Sequence, residues 1–176
     1  DTEVLDGIAD TDGRSGEATV RKNKSGIVVK GLHDLAVRFS RCCNPVPGDE
    51  IVGFVTRGRG VSIHRTDCIN VINLPEDERG RLIDAEWQVA ENSTSTEQYS
   101  TEIQIFANNR IGLFADISKV FTEKQIDITS MNVRTSKQGR ATIIMTFDIH
   151  GTEELNRITD KIRQIDGVLD IQRTTG

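Results

Sequence analysis

Three cysteines and one histidine are the residues whose types and spacing could support metal chemistry. Cys42 and Cys43 are adjacent, and His64 and Cys68 follow as His-x-x-x-Cys after twenty intervening residues. Three thiolates and one imidazole suit tetrahedral zinc. Neighbouring residues on a strand point to opposite faces, so both thiols of the pair could bind one ion only if the chain turns there. The following Asn-Pro dipeptide would allow such a turn. The alternative is a strand end with one thiol buried as a small apolar group.

The cysteine count bears on the state of the thiols. An odd number that includes an adjacent pair is a poor match to a secreted disulfide framework, so reduced thiols are expected. His33 is a weaker ligand candidate, because it has no partner at metal-ligand spacing.

Arginines surround the cysteine pair and the glycine-rich turn that follows it. Residues 21–70 contain nine Lys or Arg and four Asp or Glu, a net charge of +5 within a chain of net charge -5. Arginine binds phosphate in a bidentate manner, which favours contact with RNA. A solvated basic face is the alternative. The candidate phosphate-binding residues are Arg38, Arg41, Arg57, Arg59 and Arg65.

A third candidate is a short segment between an expected strand and an expected helix. A glycine there would let a ligand approach the backbone, and free N–H groups at the helix start could hold a carboxylate. An ordinary strand-to-helix turn is the alternative. The candidate ligand-binding residues are Asn109, Arg110, Ile111, Gly112 and Leu113.

No nucleotide-binding glycine motif, Walker loop, Ser-His-Asp set or recognisable catalytic carboxylate pair is present, so no catalytic residue is predicted. With 36% apolar residues and no run of 18 of them, the chain is expected to be soluble, without a membrane partner. The first residues lack the features of a signal peptide, which predicts a cytoplasmic location. Because residue 1 is Asp, the sequence is expected to be a piece of a longer protein.

Short β-type runs must position the thiols and arginines. Residues 27–30, 35–39, 50–56 and 61–64 predict strands, the last two forming a hairpin, and residues 82–87 predict another. Thr66 and Asp67 predict the N-cap of a short helix over 68–73. Residues 1–25 are too polar to bury a core and are expected to be a flexible linker.

Residues 91–98 (ENSTSTEQ) predict a second linker. Beyond it, apolar periodicity predicts strands over 101–107, 126–134, 141–149 and 168–172, and helices over 111–124 and from Thr152, as cap, to Gly167. The order βαββαβ is typical of the ferredoxin-like arrangement, with two helices on one face of a four-stranded sheet. The predicted fold class is α+β, with a small β-rich domain over 26–90 and the βαββαβ domain over 99–176.

Two stretches carry a family resemblance. RCCNPVPGDEIVGF at 41–54 and GRGVSIHRTDC at 58–68 closely resemble the C-terminal regulatory region of long Rel/Spo-type stringent-response enzymes, the (p)ppGpp synthetases and hydrolases. The resemblance implies a zinc-finger-like, or ribosome-intersubunit, domain over 26–90 and an ACT domain over 99–176. The family's metal-type positions fall on Cys42, Cys43, His64 and Cys68.

The same resemblance implies a regulatory chain whose catalytic domains lie elsewhere. Its expected partners are 23S ribosomal RNA, uncharged A-site tRNA and its own catalytic domains, with a homodimer through the ACT domain. ACT domains of metabolic enzymes commonly carry Asp-Arg-x-Gly-Leu-Leu where this chain has Asn109 to Phe114. Asn replaces the carboxylate that would meet a ligand ammonium, while still accepting one hydrogen bond.

Three hypotheses follow. The leading one is a binding and regulatory module that docks on ribosomal RNA and tRNA. The second is a sensor of the branched-chain amino acids Val and Ile at residues 109–113. The third is an enzyme acting on GTP or its alarmone, for which no catalytic constellation is present.

Overall fold

The computed structural model describes residues 27–29, 36–58, 60–87 and 97–174. The chain divides into two units, the first with described residues in 27–45 and 50–87, the second in 46–49 and 97–174. The predicted linker over 1–25 and most of that over 91–98 lie outside the described residues.

The first unit is built on a five-stranded sheet in the order β1-β5-β3-β4-β2. β2 pairs parallel to β4, and the other neighbours are antiparallel, so the predicted hairpin of β3 and β4 is confirmed. A short helix α1 (Ile69–Ile72) follows β4, and a 3-10 turn (Arg79–Arg81) precedes β5. The strands are β1 (Ile27–Val29), β2 (Val37–Phe39), β3 (Ile51–Thr56), β4 (Gly60–Arg65) and β5 (Leu82–Trp87).

The core of this unit is small. Val61 and Ile63 of β4 are fully buried in a cluster with Ile27. Phe39 and Trp87, at the ends of β2 and β5, stack with ring centroids 5.6 Å apart. Because side chains alternate along a strand, the intervening positions of β4 all point to the opposite face.

The start of α1 differs from the prediction. The residue that precedes the helix is Cys68, and no side chain caps it. Asp67 instead accepts a hydrogen bond from Arg65 Nε at 2.9 Å. The predicted cap at Thr66-Asp67 was wrong because the neighbouring guanidinium competes for this carboxylate.

The second unit has the predicted βαββαβ order, which confirms the α+β fold class. Its sheet has the order β7-β8-β6-β9, and every neighbouring pair is antiparallel. The elements are β6 (Tyr99–Asn108), α2 (Leu113–Glu123), β7 (Ile128–Thr135), β8 (Arg140–Ile149), α3 (Thr152–Arg163) and β9 (Val168–Arg173).

Alternation along the two central strands forms the core of the second unit. Every second residue is buried from Thr101 to Ala107 in β6 and from Ala141 to Ile149 in β8, and α2 and α3 each bury one apolar stripe with them. Phe121 of α2 meets Phe147 of β8 edge to face, with centroids 4.9 Å apart. The segment 46–49 contributes Val46 to this core.

The start of α3 also differs from the prediction. Gly151 is the capping residue and Thr152 the first helical residue, so the predicted threonine cap was wrong. Glu154 in the first turn accepts a hydrogen bond from the His150 backbone N–H at 3.0 Å. This carboxylate satisfies a donor just before the helix, as a capping box does. Among the described residues, no helix is long and apolar enough to cross a membrane.

Candidate metal centre

A tight turn brings the two adjacent cysteines to one side of the chain. The Asn44 backbone N–H donates to Ser40 O at 3.0 Å, and Asn44 takes a positive φ of 47°. Asparagine adopts this left-handed conformation more readily than most residues. The turn leaves the Sγ atoms of Cys42 and Cys43 only 3.9 Å apart, which an extended strand would not allow.

The other two members come from β4 and the start of α1. His64 lies near the end of β4, and its Nδ1 is 3.3 Å from Cys42 Sγ and 3.8 Å from Cys43 Sγ. Cys68 follows a turn in which its N–H donates to Arg65 O at 3.1 Å, and its Sγ is 3.5 Å from Cys42 Sγ. The four predicted residues thus form one cluster, with their ligand atoms all within 4.8 Å of one another.

The dimensions of the cluster fit a tetrahedral ion. With Zn–S bonds of about 2.3 Å and a Zn–N bond of about 2.0 Å, the edges of a tetrahedron measure roughly 3.5 to 3.8 Å. Four of the six separations in the cluster run from 3.3 to 3.9 Å, and the other two are no longer than 4.8 Å. All three cysteines are free thiols, so every sulfur is available as a ligand.

Polar groups that the sequence analysis did not single out orient the cluster. Ser62 Oγ lies 3.2 Å from His64 Nε2, which leaves Nδ1 as the ligand atom. Ser40 Oγ lies 2.9 Å from Cys42 Sγ, and the Arg65 backbone N–H donates to Cys43 Sγ at 3.3 Å. The Ser62 contact could have been predicted from the sequence, because residues two apart on a strand share a face. The contacts of Ser40 and of the Arg65 backbone depend on the turn and could not have been predicted in this way.

Burial opposes ionisation of all three thiols, and it decides the direction of the pKa shift at two of them. It raises the pKa of Cys43 far above its ordinary value, despite the hydrogen bond from the Arg65 backbone. It also raises the pKa of Cys68. Burial acts on Cys42 in the same direction, but hydrogen bonds with Ser40, Asn70 and the two other thiols together outweigh it and lower the Cys42 pKa. A divalent cation would supply the positive charge that the thiolates otherwise lack.

The imidazole is already in the form a metal requires. Burial lowers the pKa of His64 below its ordinary value. At neutral pH the ring is therefore uncharged and can offer a lone pair.

The predicted phosphate-binding arginines fall into three groups. Arg38, Arg41 and Arg57 are exposed, and no ion pair joins any of them to another described residue. Arg59 lies outside the described residues, as does the weaker ligand candidate His33.

Arg65 differs from the other arginines. It is buried, with 5% of its surface exposed, and its NH1 group donates to Cys43 O at 3.1 Å. The carboxylate of Asp67 neutralises its charge. Arg65 therefore braces the cysteine turn from within the fold and does not present its guanidinium to an external phosphate.

The predicted ligand-binding segment lies between β6 and α2. Leu113 is buried and Ile111 is fully exposed. The Asn109 backbone N–H donates to Gly139 O at 2.8 Å, and Gly112, with φ of 82°, is the capping residue of α2.

Arg110 is engaged within the second unit. Its NH2 group donates to Asp116 Oδ2 at 2.7 Å, and its Nε donates to Asp166 O at 2.8 Å. It thus links the first turn of α2 to the segment before β9. This leaves its guanidinium less free to meet a ligand carboxylate.

Comparisons with known proteins match both units. A model of the RelA/SpoT RIS domain matches residues 27–88, and a model of the ACT domain matches residues 95–173. The first match contains the whole Cys and His cluster, and the second contains all six elements of the second unit.

Full-length relatives match most of this chain. A GTP pyrophosphokinase of Streptomyces coelicolor is 39% identical over 150 residues, which are 85% of this chain and 17% of that protein. A GTP pyrophosphokinase of Escherichia coli K12 is 36% identical over 156 residues, which are 88% of this chain and 20% of that protein. The chain therefore spans about a fifth of the length of these relatives.

One solved structure similar to the second unit is the ACT domain of a GTP pyrophosphokinase of Chlorobium tepidum. It covers 44% of this chain and 99% of its own, with 22% identity and a TM-score of 0.40. These values are too low to add to the ACT match.

Proposed function

Because the chain belongs to the RelA/SpoT family, whose RIS and ACT domains it carries, we propose that it is a regulatory module of a (p)ppGpp synthetase/hydrolase. The observation that carries the proposal is the RIS match over 27–88, which coincides with the Cys and His cluster and the exposed arginines. The module acts on catalytic domains outside this chain.

The proposed target of the first unit is ribosomal RNA together with an uncharged A-site tRNA. Three exposed arginines without described ion-pair partners support phosphate contact, and Arg59 is two positions after Arg57 in the sequence. Arg65 is left out because it is buried. Contacts of this kind are electrostatic, so binding must weaken steeply as salt rises.

Co-sedimentation with ribosomes that carry uncharged A-site tRNA tests this interface. Binding should be lost in the triple variant Arg38→Glu, Arg41→Glu, Arg57→Glu. Binding of the wild-type chain should depend more steeply on salt than any residual binding of this variant. The matched control reverses three exposed lysines of the second unit, Lys119, Lys124 and Lys161, with the same change in net charge. Equal binding of the two variants would refute the arginine interface.

The proposed cofactor of the first unit is one structural zinc ion, held by Cys42, Cys43, His64 and Cys68. Zinc would link the cysteine turn to β4 and the start of α1 and would stabilise this small unit. Elemental analysis of the purified chain should find about one equivalent of zinc, and cobalt substitution should give a tetrahedral thiolate spectrum. Chain reconstituted with zinc that retains no metal would refute the site.

The proposal that this chain is not itself catalytic has a direct test. Purified chain incubated with ATP and GTP, or with the alarmone, should give no product above a blank. Turnover that survives purification to homogeneity would show that the module carries catalysis.

A second candidate function belongs to the ACT unit, which would bind Val or Ile and form a homodimer. The favouring observation is the open backbone at Gly112, where the nearest atom to an added Cβ is Arg110 NH1 at 3.7 Å. A carboxylate could approach the helix start there. The engaged Arg110 side chain weakens this candidate relative to ribosome docking.

Calorimetric titration with Val and Ile, and with Gly as the control ligand, tests the second candidate. Gly112→Val should abolish saturable binding, whereas Gly112→Asn should retain it, because Asn tolerates the positive φ. Absence of heat in the wild-type chain would remove this function. Sedimentation equilibrium with and without the amino acid would report the dimer.

A further inference from the structure

The thiol cluster contains a pair of sulfurs in contact that no bond joins. Cys42 Sγ and Cys68 Sγ are 3.5 Å apart, and both residues are free thiols. A disulfide needs an S–S distance of about 2.05 Å, so the sulfurs must approach by roughly 1.5 Å. Side-chain rotation can supply a movement of this size.

Geometry favours this pair over the adjacent one. Successive Cα atoms across a trans peptide are about 3.8 Å apart, which is below the usual 4.4 to 6.8 Å span of a disulfide. No cis peptide bond is present among the described residues, so Cys42 and Cys43 keep this unfavourable span. Cys43 Sγ is also buried and accepts the Arg65 backbone N–H.

Accessibility identifies the sulfur that reacts first. Cys42 is half-buried, whereas Cys43 and Cys68 are 1% and 0% exposed. An external oxidant therefore reaches Cys42 before its neighbours. Ser40 Oγ, 2.9 Å from Cys42 Sγ, can donate a hydrogen bond to the sulfur as it becomes an anion.

We propose that Cys42 and Cys68 form a reversible disulfide under peroxide and that this disulfide and a bound metal ion exclude each other. The Cys42 thiolate attacks one peroxide oxygen and the O–O bond breaks, which gives a sulfenic acid and a hydroxide that takes up the proton released by the Cys42 thiol. The Cys68 thiolate then attacks the Cys42 sulfur, the S–O bond breaks, and the departing hydroxide takes up the proton released by the Cys68 thiol to give a second water. Two thiols are oxidised by two electrons and one peroxide is reduced to two waters.

Exclusion of the metal follows from the ligand count. The disulfide removes two thiolate ligands and leaves Cys43 and His64, which are too few to retain a tetrahedral ion. Conversely, a bound ion occupies the lone pairs with which the two sulfurs would react. The exclusion rests on the proposed zinc site, whereas the disulfide itself does not. A low-molecular-weight thiol reverses the bond by exchange.

The experiment oxidises the whole chain, with and without loaded zinc, and follows three quantities. Intact mass of chelator-treated chain should fall by about 2 Da and return after thiol treatment. Tryptic peptides 42–57 and 66–79 should become cross-linked, and fragmentation between Cys42 and Cys43 should place the link on Cys42. Zinc captured by a chromogenic chelator should rise with the cross-linked fraction.

The outcomes separate this inference from the zinc proposal. A link within peptide 42–57, a link on Cys43, or unchanged mass in the chelator-treated chain would overturn the Cys42–Cys68 disulfide, whether or not zinc binds. Cross-linked chain that retains its zinc would overturn the exclusion. If no zinc binds even to reduced chain, the zinc proposal and the exclusion fail together, while the mass measurement still decides the disulfide.

Two variants serve as controls. Cys43→Ser keeps both reacting sulfurs and should still lose about 2 Da. Cys68→Ser should instead gain mass as a sulfenic acid that a dimedone probe labels, because the second sulfur is missing. Equal cross-linking in both variants would contradict the pairing.

Discussion

Ser62 is a positioning residue of the metal cluster, because it touches the ring nitrogen of His64 that faces away from the sulfurs. Ser62→Ala should reduce cobalt or zinc affinity by about 10- to 100-fold, as loss of such outer partners commonly does. Competition with a chelator of known affinity measures the change. Ser100→Ala, on the exposed start of β6, is the matched control and should leave affinity unaltered. A merely structural role for Ser62 would lower the melting temperature without this loss of affinity.

His64 should make the metal-stripped chain sensitive to mild acid. Burial lowers its pKa in the folded state, so the unfolded chain binds a proton more readily. Stability should therefore be complete above the unfolded pKa of about 6.5 and decline as pH falls below it towards the lowered folded value.

Thermal melts in chelator compare the wild-type chain with His64→Gln, which cannot take up the proton. As the solution is acidified, the free energy of unfolding of the wild-type chain should fall relative to that of His64→Gln. A difference independent of pH would contradict the assignment of a buried, neutral imidazole.

Sequence reasoning identified the residues of the cluster but not their supporting groups. Residue type and count were sufficient to select Cys42, Cys43, His64 and Cys68. The burial of Arg65 was not predictable in the same way, because its charge is balanced by Asp67 only after the chain turns beyond β4. Without knowledge of the turn, a charged side chain is expected to be exposed even when an oppositely charged residue lies two positions away.

At the scale of elements, the hairpin of β3 and β4 carries His64 into the cluster, and Gly60 is its most demanding position. Its φ is 88°, and an added Cβ would lie 2.1 Å from the backbone oxygen of Ala36. Gly60→Ala should destabilise the first unit by about 3 kcal/mol or more, because backbone must move.

Gly58→Ala is the matched control in the same turn. Its φ is also positive, at 77°, but nothing lies within 4 Å of the added carbon. Only the conformational cost of about 1 to 2 kcal/mol remains. Denaturant unfolding followed by Trp87 fluorescence measures both. Equal losses would show that the close approach to Ala36 relaxes at no cost.

Most elements could be predicted from periodicity, but the first residues of two helices could not. The alternation of β8 and the helical spacing of α2 were clear because burial on one face dictates both patterns. The helix starts were misassigned at Thr66-Asp67 and Thr152, since a competing guanidinium and a preceding glycine decided them. Hydrogen-bond competition between neighbours is not visible in a propensity pattern.

At the scale of the whole molecule, each unit has its own core and its own spectroscopic reporter. The single tryptophan, Trp87, lies in the first unit, and the single tyrosine, Tyr99, lies in the second. Removal of zinc should lower the melting transition seen by Trp87. A ligand present at about 100 times its Kd contributes about 2.7 kcal/mol, which shifts a unit of this size by roughly 10 to 20 °C.

The transition seen by Tyr99 should move much less, since the proposed ion contacts only first-unit residues. Scanning the chain in excess zinc and in chelator, with both signals recorded, provides the test. The variant His64→Gln, Cys68→Ser is the control and should not respond to chelator. If the melting temperature reported by Trp87 were the same in excess zinc and in chelator, the ion would not stabilise the first unit.

The twenty residues between Cys43 and His64 include β3 and its turn into β4. An ion that bridges the two residues closes this segment into a ring, yet the six paired positions of the hairpin already hold most of it in place. Pairing of β3 with β4 has therefore already cost most of the chain entropy that closing this ring would otherwise cost. Lengthening the turn at Arg57-Gly58 should change ion affinity little, since doubling a flexible loop costs only about 0.6 kcal/mol. Natural variation in the length of this turn would then be compatible with an unchanged ion site.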